Sequence, residues 1–138
     1  MAAFSDFLET AILNEVFGQA AFSSPNLWML LADGAISDAD TGTTVESNVE
    51  ITGTGYARVQ ASAAAWSSAV AGTIGAVLSV AVSFPSSTGN WGTVTYWGLA
   101  SASTAGNLLC FASVETAQAV ASDTIVTFAD GSISVTMS

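Results

Sequence analysis

The chain opens on a helical period and then changes to a period of two. In Phe4-Ser5-Asp6-Phe7-Leu8-Glu9-Thr10-Ala11-Ile12-Leu13-Asn14-Glu15-Val16-Phe17, residues Phe4, Leu8, Ala11, Ile12 and Val16 fall on one side at helical spacing. Ser5 can cap this helix, Asp6 and Glu9 suit the positive end of its first turns, and Gly18 can end it. An amphipathic stripe of this kind has two uses: it packs on its own domain, or it docks on a partner as an arm.

After Pro25, Leu27-Trp28-Met29-Leu30-Leu31-Ala32 is short, wholly apolar and bounded by turn residues, which predicts a strand buried on both faces. Residues 33–44 turn to Gly, Asp, Ser and Thr and predict a loop. Thereafter Tyr56, Arg58 and Gln60 alternate with Ala57, Val59 and Ala61. Ala76, Leu78, Val80, Val82 and Phe84 form one apolar face opposite Ser79 and Ser83. Trp91, Thr93, Thr95, Trp97 and Leu99 share a face in the next run, and further strands are expected over 107–114, 124–129 and 132–137. Asp130-Gly131 between the last two is a hairpin signal. The Ala- and Ser-rich stretch 61–71 reads as a loop or an edge strand. Short strands at turn-marked intervals predict a mainly β fold, an antiparallel β-sandwich (jelly-roll-like or a partly closed barrel) with an N-terminal amphipathic helix. With 138 residues the chain is one compact unit, divided into a helix or arm over 1–24 and a β-sandwich domain over 25–138.

Composition changes this picture mainly by what it removes. Eleven acids face a single Arg58, there is no Lys or His, and the formal net charge is -10. A Ser-His-Asp triad, a P-loop lysine, a Schiff base and a histidine or multi-thiolate zinc site are therefore out of reach, and no enzyme, catalytic residue, metal or cofactor is expected. Nucleic acid is not an expected partner, because phosphates would meet a polyanion. Cys110 within Leu108-Leu109-Cys110-Phe111 reads as a small buried hydrophobe. Residues 59–114 carry no charge, yet the glycines, the alternation over 76–84 and the lack of anchoring Lys or Arg argue against a membrane span. The N-terminus lacks the positive n-region of a secretory signal, and synthesis in the host cytoplasm is expected.

Three features remain to be weighed. Asp33, Asp38 and Asp40 sit in an oxygen-rich loop, but the other ligands of a calcium loop are missing, and a solvated turn is the better reading. Trp28, Trp66, Trp91 and Trp97 suit core or interface packing more than a sugar-stacking platform, since three of the four lie in apolar runs. Arg58 must be paired, either in an internal salt bridge or across a subunit boundary. Charged residues make up only 9% of the chain, far below the roughly 25–35% typical of a monomer's surface, which points to a surface largely buried in an assembly. Candidate interaction residues are Phe4, Phe7, Leu8 and Ile12 on the helix, with Arg58.

The segments Phe4-Ser5-Asp6-Phe7-Leu8-Glu9, Leu13-Asn14-Glu15-Val16-Phe17 and Ser24-Pro25-Asn26-Leu27-Trp28 resemble a family of small tailed-bacteriophage and prophage virion proteins, often labelled tail fibre proteins. The likeness continues through Gly55-Tyr56-Ala57-Arg58, Phe84-Pro85, Trp91-Gly92-Thr93-Val94-Thr95-Tyr96-Trp97-Gly98, Gly106-Asn107-Leu108-Leu109 and the closing run from Phe128 to Val135. Two departures are Thr116-Ala117-Gln118, where family members often have Thr-Pro-Lys, and Asp33-Gly34, where they usually have Asp-Pro. The resemblance implies a structural protein of the virion. Because a fibre shaft needs heptads or a collagen-like repeat and none is present, the expectation is a capsid cement or decoration protein on the outer capsid surface. It would bind the major capsid protein as a homotrimer, the number that suits three-fold junctions between capsomers. A tail or tail-fibre component is the alternative, and a carbohydrate-binding adhesin the second.

Overall fold

The computed structural model describes residues 2–68 and 75–136. In chain order the elements are β1 (Ala3–Phe4), α1 (Asp6–Val16), β2 (Trp28–Ala32), α2 (Gly42–Asn48), β3 (Val59–Gln60), a 3₁₀ turn (Ala63–Ala65), β4 (Gly75–Val77), β5 (Val82–Ser83), β6 (Gly92–Ala100), β7 (Leu108–Val120), β8 (Thr127–Phe128) and β9 (Ser134–Thr136). The fold is mainly β and wholly antiparallel, with an amphipathic helix near the N-terminus, as the periodicity predicts. A five-stranded sheet runs β1-β7-β6-β2-β3, and β4-β9 and β5-β8 make two short ladders. No barrel closes among the described residues.

The apolar run of β2 is an interior strand of this sheet, between β6 and the edge strand β3, and its residues divide between the sheet's two faces. Met29 and Leu31 join Trp97, Leu99 and Cys110 against Leu78, Val82, Phe84 and Ile133 of the short ladders. Leu30 and Ala32 join Ala100, Leu108 and Phe111 on the other face, beneath Val45 of α2 and Ile36. Burial on both faces is why the run lacks alternation. The short ladders are two pieces of one antiparallel ribbon: residues 75–77 pair with 134–136, and 82–83 with 127–128. Ser87 extends the same ribbon by accepting from and donating to the backbone near Thr124.

Several local expectations are corrected. The loop expected over 33–44 contains the start of α2, whose capping box is formed by Thr41 and Thr44. The Asp130-Gly131 turn exists, with Gly131 at φ +75° and a Ser132 N–H to Ala129 carbonyl bond, but it does not join a hairpin. Phe128 pairs back to Val82 and Ser134 to Val77, so the turn is an offset within the ribbon. Each flank finds its partner on the earlier segment rather than on the other flank. The even face over 76–84 fails at Val80, which is exposed, because the chain leaves the ladder between β4 and β5 and alternation holds only while a strand stays paired.

In β6 a register shift between Val94 and Tyr96 puts Val94 in the core with Trp97 and Leu99, and Thr93, expected on that face, is exposed. The strand expected over 107–114 runs on to Val120. Only Val59 and Gln60 of the 56–61 alternation are strand, and Arg58 is buried. In the stretch 61–71, Ala63–Ala65 is the 3₁₀ turn and Trp66 bridges to Leu78; residues 69–71 lie outside the described residues, as does Met137 of the last expected strand.

Candidate interaction surface

The N-terminal helix forms as its local chemistry dictates. Ser5 is the N-cap and its hydroxyl accepts the Leu8 N–H at 3.3 Å; Asp6 and Glu9 occupy the first turn; Gly18 follows the end with φ +66°. The same Ser5 hydroxyl, fully buried, donates to the Leu108 carbonyl of β7, and the Ser5 N–H donates to that of Leu109 at 3.0 Å. Together with β1, which pairs with Cys110 and Phe111, this ties the base of the helix to the sheet edge. Phe4 lies in β1 rather than in the helix, and with Leu8 it packs against the main core. Ile12 is half-buried, while Phe7 is exposed and lines a groove of about 520 Å³ between α1 and residues 20–22.

Beyond Ile12 the helix leaves the body. No residue of α1 is buried, and Leu13, Val16 and Phe17 are 56%, 71% and 70% exposed. Glu9, Leu13 and Phe17 recur at four-residue spacing with Asp6 beside them; Val16, which the periodicity placed on the packed side with Leu8 and Ile12, is exposed instead because the last turn has left the body, so two acids lie just before three apolar side chains. The segment after the helix folds back on it: the Gln19 N–H donates to the Asn14 carbonyl at 2.8 Å and the Phe22 N–H to the Glu15 carboxylate.

Arg58 lies elsewhere, under the opposite face of the sheet. All five of its N–H donors are used. Nε meets Glu50 at 2.9 and 3.1 Å; Nη2 donates to Glu50 at 2.6 Å and to the Gly42 carbonyl at 3.0 Å; Nη1 donates to the carbonyls of Ala102 and Ala105 at 3.0 and 2.8 Å. Glu46 stands 3.8 Å from Nη2, and its carboxylate also accepts the Ala105 N–H. Tyr56 completes the group, donating to Glu50 at 2.8 Å and accepting from the Leu31 N–H at 3.0 Å. Burial and the neighbouring Glu50 charge push the Tyr56 phenol far above its usual range, so it stays a donor. Arg58 therefore fastens α2, the 101–107 turn and the end of β2 together, and has no N–H left for a neighbouring subunit.

Gly42 allows this approach: a Cβ there would come within 2.2 Å of the Ala105 carbonyl.

The other chemistry noted in the sequence is absorbed locally. Asp40 accepts from the Ser37 N–H and hydroxyl and from the Thr44 hydroxyl, and Asp38 accepts from the Ala39 N–H. Partial burial acts to raise the Asp40 pKa, but those hydrogen bonds outweigh it and hold the carboxyl below the usual value. Among the described residues no three metal-ligating side chains gather. Cys110 is a core residue, and burial pushes its thiol up to about 12. Trp91 and Trp97 are buried in the core, and Trp28 and Trp66 are half-buried. Trp66 lines a second groove of about 380 Å³ with Leu27, Leu99 and Leu109.

Sequence reasoning named Phe4, Phe7, Leu8 and Ile12; the structure packs Phe4 and Leu8 against the core and half-buries Ile12, and that reasoning missed Leu13, Val16 and Phe17, the apolar side chains of this segment that are more than half exposed. Their signal was present, since Glu9, Leu13 and Phe17 define a second stripe. It also missed Glu50 and Tyr56 as partners of Arg58; a lone cation among eleven acids carries no local mark of which acid it takes.

A family model described as "Podophage GP4 fiber I protein gp80" matches residues 3–136. No curated protein matches the chain.

Proposed function

Since the chain belongs to the podophage GP4 fiber I protein gp80 family, a family of bacteriophage virion fibre proteins, we propose that it is a non-enzymatic building block of the fibre apparatus through which the particle meets its host. The observation that carries this reading is the extent of the match: residues 3–136 span both the N-terminal helix and the whole β body. The family's description thus applies to the helix and the β body alike. This displaces capsid cement as the favoured role. That expectation rested on the absence of a shaft repeat, and a compact antiparallel module can equally be one globular segment of a fibre whose length comes from other chains.

Self-association, inferred from the low charge, is carried into this proposal; the number three rested on the junctions between capsomers, and sedimentation of the purified chain tests it. Its neighbours on the particle then become tail and fibre proteins instead of the major capsid protein.

The discriminating experiment compares phage lacking this gene with wild type. Heads should hold their DNA equally well through heating and osmotic shock, while adsorption to host cells falls steeply, and labelled protein restored to the particles should map to the tail. Particles that leak DNA under mild shock yet adsorb normally would instead return the chain to the outer capsid surface.

A further inference from the structure

The projecting half of α1 is a preformed feature without a partner inside the described chain. Leu13, Val16 and Phe17 stand more than half exposed, while the base of the same helix is held by the buried Ser5 and by β1, and its far end is closed by the backbone bonds that follow Gly18. Apolar groups presented on a fixed support lose little conformational freedom on binding. What covers them is decided by charge.

The outer stripe carries Asp6 and Glu9, Glu15 is also exposed, and the last turn has no base to offset the negative end of the helix dipole. A second copy of the chain offers no free cationic side chain to meet these groups. Its one cationic side chain, Arg58, is buried with all five N–H groups engaged, so two copies meeting through α1 would bring acid against acid across a desolvated contact.

We propose that the distal half of α1 is a docking knob for a different protein of the virion, one that receives Leu13, Val16 and Phe17 in an apolar cleft rimmed by Lys or Arg. The apolar trio supplies the buried centre of the contact, and the basic rim meets Asp6 and Glu9. This rests on the reading of the chain as a fibre component. It adds the surface used and the chemistry of its receptor, and it assigns any self-association to other surfaces.

The test uses the full-length chain and, as probe, purified particles assembled without it. Three proteins are compared: wild type, the double variant Leu13→Ser/Val16→Ser, and Glu9→Lys. Because these side chains are exposed, all three should fold and share one sedimentation behaviour, with Glu9→Lys melting only a few degrees lower for the cation it puts at the positive end of the helix. Wild type should bind the particles, more weakly as salt is raised, and each variant should bind about tenfold more weakly or worse. Variants that bind as wild type does overturn the knob while leaving the fibre reading intact. Variants that lower the oligomeric state overturn it in favour of a second copy as the occupant. If wild type itself fails to bind the particles, the knob falls together with the reading of the chain as a virion part.

Discussion

Arg58 reaches both halves of the molecule from one side chain. Its carboxylate partner Glu50 is as buried as the guanidinium, and the carbonyls of Gly42, Ala102 and Ala105 have their hydrogen bonds from it. Removing one member of such a pair strands the other charge in a poorly solvated site, at a cost of about 3–5 kcal/mol, whereas replacing both with apolar groups is often close to neutral. Arg58→Met should therefore lower the unfolding free energy in urea by about 3–5 kcal/mol. The double variant Arg58→Met/Glu50→Leu should recover a large part of that loss. Arg58→Lys should not restore it, because three N–H groups radiating from one nitrogen cannot reach acceptors arranged around a planar fork. If the losses of Arg58→Met and of Glu50→Leu simply add in the double variant, the pair is not coupled.

At the scale of elements, α2 shows how a short helix is held. Seven residues are too few to be stable alone, so its ends are secured from outside: the Thr41 capping box and Asp40 at the start, Arg58 on the Gly42 carbonyl, and Val45 in the upper core. Asp40 makes this element sensitive to acid. Its folded pKa is depressed below the unfolded value of about 3.9, so the folded chain binds that proton more weakly than the unfolded chain does. Its stabilising contribution is complete above the unfolded value and is lost as pH falls through the folded one. Asp40→Asn should thus melt below wild type at neutral pH, and the two curves should converge once the pH is well below about 3.9. A difference that persists unchanged into acid would rule out the carboxylate as its source.

For the whole molecule, the sheet is finished by the start of the chain. Ala2 is in the core, β1 covers part of the outer edge of β7, and Ser5 serves the carbonyls of Leu108 and Leu109. Deleting residues 1–18 should accordingly destabilise the protein. Each carbonyl left without its partner costs about 1–3 kcal/mol, and an uncovered strand edge invites aggregation. A truncated chain that melts like the full-length protein would mean that the sheet edge does not need β1. This separates the two uses of an amphipathic N-terminus: Ala2, Phe4 and Leu8 pack on the body, and the apolar side chains of the helix that stand more than half exposed begin at Leu13.

Features encoded over a few neighbouring residues are legible in the amino-acid sequence by itself: the Ser5 cap and the helix to Val16, the apolar strand of Trp28–Ala32, the buried Cys110, and the antiparallel β class. In each, the deciding interactions fall within one turn or one pleat, so periodicity alone carries them. Tertiary structure decided what depends on partners distant in the chain. Asp130-Gly131 turned as its residues require, yet its flanks paired with residues 75–83, because a strand takes whichever ladder the rest of the fold offers. Arg58 took Glu50 from eleven acids and the carbonyl of Ala105 from 47 residues away.

The candidate surface divides along the same line. The amphipathic character of α1 is local, but which of its two apolar stripes is covered depends on where β7 passes beneath it, and that left Leu13, Val16 and Phe17 exposed.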